Sequence, residues 1–357
     1  MTASRMPWWA WFWPLAAWAL LAGTLFAGMG ALLAAGAAVA LIATVFAAVY
    51  HAELVAHRVG EPFGTLVLAV AVTVIEVALV VSVMLGGGAE KAALARDTVF
   101  AAVMLVCNGV VGMCLLAGGM RHHAQGFQIQ GASAALAVLA ALTTLTLVLP
   151  NFTVTSPGPV FTSSQLAFVG VVSLVLYGVF VFVQTVRHPG DFLTAVEEDT
   201  HAAAPSTPAA VISAVVLVVA LVAVVGLAKA LSPIMEAGLD RAGAPKSVIG
   251  VVIAALVLLP EAVAAVRAAR ANRLQTSLNL ALGSALASIG LTIPAVAVVA
   301  IVLGTPLTLG LDAKEEVLLA LTLLVSVLTL GTGRTTVLQG AVHLVILAVF
   351  LFLAVVP

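Results

Sequence analysis

Charge is what this chain has least of. Only 8% of its 357 residues are Asp, Glu, Lys or Arg, against about a quarter in a soluble globular protein. With 63% hydrophobic residues and a mean hydropathy of +1.24, a soluble fold of this length is excluded and an integral membrane protein is implied. The net charge of -1 and the lack of a basic tail remove the electrostatic footprint that a nucleic-acid partner would need. Cysteine is scarce too. Cys107 and Cys114 fall on one predicted helix roughly 10 Å apart, beyond the reach of a disulfide, so they read as small packing residues. The opening segment MTASRMPWWAWFWPLAAWALL lacks a clear small-residue cleavage site. Its tryptophans suit an interfacial belt, and it reads as a retained first helix.

What the sequence has instead is a series of apolar runs, broken by Gly, Pro and small charge clusters. Eleven candidate spans follow: about Trp8 to Ala27, Ala31 to Tyr50, Phe63 to Leu85, Thr98 to Ala117, Ala132 to Leu149, Gln165 to Val186, Ala209 to Ala228, Ser247 to Val266, Leu278 to Leu303, Val317 to Leu330, and Thr336 to Val356. Most approach the roughly 20 residues that cross a bilayer as a helix. The fold class expected is an all-α polytopic membrane protein, residues 1–357 forming a single membrane domain. The longest polar segment, RHPGDFLTAVEEDTHAAAPSTP, divides the spans after the first into five and five. Residues 1–29 are thus a first helix, 30–186 a first repeat, 187–208 a linker and 209–357 a second repeat. An odd number of helices per repeat inserts the second copy upside down, the inverted-topology design of many secondary transporters. With the N-terminus in the cytoplasm, eight of the 14 Lys and Arg residues fall in inner connections. The tight Arg267, Arg270, Arg273 cluster weighs most under the positive-inside rule. The expected location is the inner (plasma) membrane, with the linker inside and the C-terminus outside.

Two carboxylates interrupt this apolar background. Glu76 sits midway along GEPFGTLVLAVAVTVIEVALVVSVML, and Glu261 follows Pro260 deep in the run from Ser247 to Val266. Each falls in the second span of its group of five, so the repeat brings both toward a common depth. A carboxylate in hydrocarbon costs several kcal/mol unless protonated, paired or bound to a cation. Two close together raise each other's pKa, so a proton is held until a cation replaces it. Oxygen ligands suit a hard cation such as Ca²⁺, which takes about six to eight of them. Two glutamates supply at most four. Candidate additional ligands are Thr73, Asn108, Asn279, Ser284 and Ser288, with backbone carbonyls; Pro260 has no N–H to give to Leu256 and leaves that acceptor free. The third span of each half also shows a weak internal match, VCNGVVGMCLLAG on LGSALASIGLTIP, which pairs Asn108 with Ser284 and Gly112 with Ser288.

Other polar residues are less telling. His122 and His123 beside Arg121 suit the membrane interface, and His343 reads as a satisfied buried imidazole. Glu197, Glu198 and Asp199 in the linker read as a solvated face, with a regulatory cation-sensing patch as the sharper alternative. Gly64, Gly86 and Gly250 are hinge candidates.

The segments GEPFGTLVLAVAVTVIEVALV, VCNGVVGMCLLAGG, FVQTVRHPGDF and PEAVAAVRAARANRLQTSLNLALGSALASIGLTIPAV resemble the bacterial calcium/proton antiporters, the ChaA-like branch of the calcium/cation antiporter superfamily. The resemblance runs from about Tyr50 onward. It implies export of Ca²⁺, in some members Na⁺ or K⁺, in exchange for H⁺, with the essential acidic residues at Glu76 and Glu261. The chain departs from the superfamily's GSN-type signature, since Gly283 and Ser284 are followed by Ala285. The expectation is a secondary antiporter, not an enzyme, with Ca²⁺ as transported substrate, no cofactor, and the bilayer, cation and H⁺ as partners. The rivals are a Na⁺ or K⁺/proton antiporter on the same frame, an intramembrane hydrolase with a glutamate base, and a passive cation channel.

Overall fold

The computed structural model describes residues 6–27, 30–60, 63–85, 92–192, 205–243, 245, 247–305 and 307–356. The acidic cluster Glu197, Glu198, Asp199 and the hinge candidate Gly86 lie outside the described residues. Each expected span folds as a helix, giving eleven among the described residues: α1 Trp8–Ala27, α2 Ala31–Val59, α3 Phe63–Leu85, α4 Leu94–His122, α5 Ile129–Phe152, α6 Ser163–Arg187, α7 Thr207–Ala242, α8 Ser247–Arg270, α9 Leu274–Leu303, α10 Ala313–Leu330 and α11 Val337–Val355. Eight of them are long and apolar enough to cross a membrane by length and composition. Of the others, α3 has its apolar stretch at Val67–Ser82, and α10 opens with Lys314, Glu315 and Glu316.

The helix starts are written in the sequence. Thr162 with Gln165, Asp312 with Glu315, and Thr336 with Gln339 close reciprocal caps on α6, α10 and α11, each satisfying two donors that a helix N-terminus leaves open. Two helices run further than hydropathy alone suggests. α2 continues through HAELVAHRV to Val59, and α7 passes Lys229 and Pro233 before Gly243, at φ 64, ends it. Their last turns are charged, so the helix outlasts its apolar part. Among the described residues three helices contain π-turns, at Leu105–Val110 in α4, Thr144–Val148 in α5 and Val183–Arg187 in α6. No hydropathy pattern reveals these.

By packing, the chain forms two compact units, residues 1–86 with 202–246, and 87–201 with 247–357. The first holds α1, α2, α3 and α7, with α2 against α1, α3 and α7. The second holds α4 to α6 and α8 to α11. There α8 packs on α4 and α9, α9 on α6, and α11 on α4. This division by packing is distinct from the division at the 187–208 linker, because α7 spends its apolar face on α2.

Within the second unit the connections sort by end. After α4, β1 (Ala124–Gly126) pairs antiparallel with β2 (Arg334–Thr336), which precedes α11. His122 Nε2 lies 3.0 Å from the Arg270 carbonyl, and Gln125 donates to the Ala269 carbonyl at 2.9 Å. The Asn279 amide donates to the carbonyl of Phe192. Arg121, Arg187, Arg267, Arg270, Arg273 and Arg334 therefore share one end. At the other end, Val160 bridges Thr308, and Arg96 reaches Asp97 at 2.8 Å and the Gly310 carbonyl at 2.9 Å. Asp312, Glu315 and Glu316 also lie at that end.

Candidate functional site

In the first unit α3 presents Glu76 at 3% exposure, with Thr73 at 7% one turn earlier. Ile75, Leu79 and Val80 are buried beside them, while Val70 and Val74 on the opposite face are exposed. The spacing of Thr73, Glu76 and Val80 is that of one helical stripe. The Thr73 hydroxyl has no hydrogen-bond partner among the described residues. A buried hydroxyl left this way costs about 1–3 kcal/mol, so its oxygen is an acceptor in waiting next to a carboxylate. α3 is seated closely: a Cβ on Gly64 would lie 2.5 Å from the Ala56 carbonyl oxygen of α2.

The same unit carries a second polar centre that sequence reading passed over. His51, fully buried, has Nδ1 3.0 Å from Ser213 Oγ on α7 and Nε2 3.1 Å from the Ala10 carbonyl on α1. A carbonyl only accepts, so Nε2 carries the proton and Ser213 donates to Nδ1. By hydropathy the apolar run ends at Tyr50, which puts His51 in a connection. The signal available was the continued helical periodicity of AVYHAELV.

In the second unit α8 places Glu261 at intermediate exposure immediately after the buried Pro260. The helix start is pressed onto α4, where a Cβ on Gly250 would lie 2.8 Å from the Thr98 nitrogen. On α9, Ser288 is 5% exposed and Ser284 is partly exposed. Ser277, Ser284, Ser288 and Thr292 fall on one face of α9 by helical spacing, and Ser277 and Thr292 are fully buried.

The two candidate amide ligands have well-defined partners. Asn279 accepts from Gln275 Nε2 at 3.1 Å and donates to the Phe192 carbonyl, which clasps the turn after α6 to α9. Asn108, within the π-turn of α4, donates to Thr322 Oγ1 at 2.9 Å, and its Oδ1 lies 3.1 Å from His343 Nδ1. His343 Nε2 is 3.1 Å from Thr329 Oγ1. Thr322 and Thr329 on α10 were not singled out from sequence. Their signal is two hydroxyls seven residues apart on one face of an apolar helix. Cys107 and Cys114 are both buried free thiols.

A buried glutamate and a buried histidine in the first unit, and a partly buried glutamate and a buried histidine in the second, lie in largely apolar helices and fit the handling of small ions. Comparison with known proteins agrees in kind. Residues 29–186 and 212–356 match the family of sodium/calcium exchanger proteins. The y4hA protein of Sinorhizobium fredii, named for ionic transport, is 51% identical over 99% of this chain and 98% of its own length. The sodium-potassium/proton antiporter ChaA of Escherichia coli is 35% identical over 88% of this chain and 86% of its own. Among solved structures, the Ca²⁺/H⁺ antiporter YfkE superposes with a TM-score of 0.74 at 18% identity, covering 98% of this chain and 99% of that one. The H⁺/Ca²⁺ exchanger CAX gives 0.71 at 16% identity, covering 96% and 88%. At those identities the structures bear on the fold alone.

Proposed function

We infer the function from a premise now in hand: the chain belongs to the sodium/calcium exchanger protein family, and it is a multi-pass secondary ion transporter, not an enzyme. We propose that it is a cation/proton antiporter that exports Ca²⁺ in exchange for H⁺ by alternating access, with Glu76 and Glu261 holding proton and cation by turns. The observation that carries this reading is one carboxylate in the second helix of each group of five, with Glu76 only 3% exposed. A carboxylate withheld from water binds a proton or a cation more readily than it stays bare, so the two compete. Two such groups accept two protons or one divalent ion with no net change of charge. Thr73, Ser284 and Ser288 are the additional oxygens best placed on the same or neighbouring helices, and Asn108 offers an amide oxygen.

A second reading, Na⁺ or K⁺ in place of Ca²⁺, is favoured by the 35% identity to a sodium-potassium/proton antiporter. The arginine-bearing end of the second unit is assigned to the cytoplasm, because six arginines gather there and acidic residues dominate the other end. On that assignment we propose that the N-terminus is inside and the C-terminus outside the plasma membrane. The deciding experiment is proton flux in vesicles containing the purified protein, with Ca²⁺, Na⁺ and K⁺ offered separately across pH. Ca²⁺-driven proton movement is expected; its absence beside a Na⁺ or K⁺ signal moves the assignment to the monovalent ion. Ion flux that never runs uphill against its own gradient would make the protein a channel.

A further inference from the structure

The buried hydrogen-bond chain through His343 has a direction, and one residue sets it. Asn108, Thr322 and His343 are 0% exposed and Thr329 is 3% exposed, so every donor and acceptor in the chain must be satisfied inside the protein. Met104 Sδ stands 3.4 Å from Thr322 Oγ1 and 3.9 Å from Asn108 Nδ2. A thioether sulfur accepts and cannot donate. With its single proton turned to Met104, Thr322 Oγ1 accepts from Asn108 Nδ2 at 2.9 Å. The carboxamide then has its oxygen toward His343, and at 3.1 Å only an N–H on Nδ1 can meet it. In a neutral imidazole the other nitrogen is an acceptor, and Thr329 supplies the hydroxyl proton at 3.1 Å.

The helices are built to hold this arrangement. α4 and α11 cross at glycines: a Cβ on Gly340 would lie 2.5 Å from the Leu116 nitrogen, and one on Gly112 would lie 3.1 Å from His343 Cβ. The approach is close enough for a short imidazole on α11 to reach a side chain inside the π-turn of α4. A π-turn offsets one residue from the helical ladder and recurs at functional sites. Here it turns Asn108 into the interior between α10 and α11.

We propose that His343 is a positioning residue for cation exchange. As its neutral Nδ1–H tautomer it holds the Asn108 oxygen from one side while Thr322 holds the amide nitrogen from the other, and so it helps to set the apparent affinity for the exchanged cation. An amide oxygen has two lone pairs; His343 takes one and the second stays open to a cation. A carboxamide free to turn would present its NH₂ to the cation in half of its orientations, which repels it. Neutral His343, its second nitrogen occupied by Thr329, does this without adding a positive charge. The proposal rests on the reading that Asn108 lends an oxygen to the transported ion.

His51 provides an internal reference, because its Nε2 faces a carbonyl and it must be the opposite tautomer. The first experiment is ¹⁵N spectroscopy of histidine-labelled protein in lipid, with the two buried signals assigned by their loss in His343→Gln and His51→Gln. The protonated nitrogen is expected at Nδ1 for His343 and at Nε2 for His51; an Nε2–H form of His343 overturns the proposal.

The second experiment is exchange kinetics. Gln can donate to Asn108 and accept from Thr329, so His343→Gln is expected to keep the KM for the cation within about twofold. His343→Leu loses one buried hydrogen bond to Asn108 and is expected to raise KM by roughly fivefold to tenfold, with kcat changed less. Adding His343→Leu to Asn108→Ala is expected to raise KM no further than Asn108→Ala alone. Equal KM for the Gln and Leu variants overturns the proposal. If Glu76→Gln and Glu261→Gln are inactive while His343→Leu is normal, the positioning role fails and the antiporter reading stands. If the glutamate variants exchange normally, it is the antiporter reading that fails.

Discussion

The helices that carry the two glutamates are counterparts by position in the chain, yet they are built differently. α3 is an uninterrupted apolar helix with Ile75 before Glu76, whereas α8 has Pro260 before Glu261. Glu76 is buried at 3% exposure, and Glu261 is only partly buried. What the two share is the way their starts are seated. Gly64 brings α3 onto the Ala56 carbonyl of α2, and Gly250 brings α8 onto the Thr98 backbone of α4. The difference teaches that two helices at corresponding places in the chain can share a carboxylate and a glycine seat while their local backbone chemistry differs. One helix offers a threonine hydroxyl beside its glutamate, and the other offers a carbonyl, that of Leu256, which loses its helical donor to proline.

The strongest way to break the comparison is at the carboxylates. Glu76→Gln and Glu261→Gln are each expected to reduce cation-driven proton flux by roughly a hundredfold or more, because neither neutral amide can give up a proton to make room for a cation. Both variants should still insert and purify as the parent does. Exchange at the parent rate in either one would mean that the two helices do not share a task. Next in size are the seats. Gly64→Val and Gly250→Val place carbon atoms within 2.5 Å and 2.8 Å of backbone that cannot swing aside, and overpacking of this kind costs about 1–3 kcal/mol. A fall in Tm is expected for both, measured on protein in detergent, together with slower exchange. A variant with lowered Tm and full exchange at low temperature would separate the seat from the motion. Pro260→Ala sharpens the comparison instead. It gives α8 the N–H that α3 already has, and a modest rise in Tm with a severalfold loss of exchange is expected if the Leu256 carbonyl serves the ion.

The parts of this molecule that obey one-dimensional rules were legible in its sequence. Long apolar runs gave all eleven helices, and a carboxylate in such a run is visible at once because its burial is so costly. Helix ends were less legible. In α2 and α7 the charged last turns HAELVAHRV and LAKALSPIMEAGLDRA look like connections to a hydropathy reading, although the helix runs on through them. The partners of polar side chains were not legible at all. Asn108 reaches His343, 235 positions away, and His51 reaches Ser213, 162 positions away. No local pattern encodes a hydrogen bond between helices that distant in sequence. The π-turn at Leu105–Val110 is hidden for a related reason: it moves a side chain around the helix without changing composition.

The smallest expected effect is also the one that most finely divides α3 from α8. Thr73→Val exchanges a hydroxyl for a methyl of nearly the same volume, one turn from Glu76. Its hydroxyl has no partner among the described residues, so if packing were its only task, the valine would relieve a stranded polar atom. Tm would then rise, by an amount matching about 1 kcal/mol, and exchange would be unchanged. If the oxygen ligates the ion, Tm still rises, but the KM for the cation increases severalfold while kcat holds, because the loss falls on binding and not on the carboxylate that carries the proton. α8 has Leu258 at the corresponding place, three residues before Glu261, and so Leu258→Thr is the reciprocal change. A hydroxyl there is expected to leave KM unaltered, since α8 already spares the Leu256 carbonyl. A lower KM in Leu258→Thr would show that the two helices are closer to interchangeable than their sequences suggest.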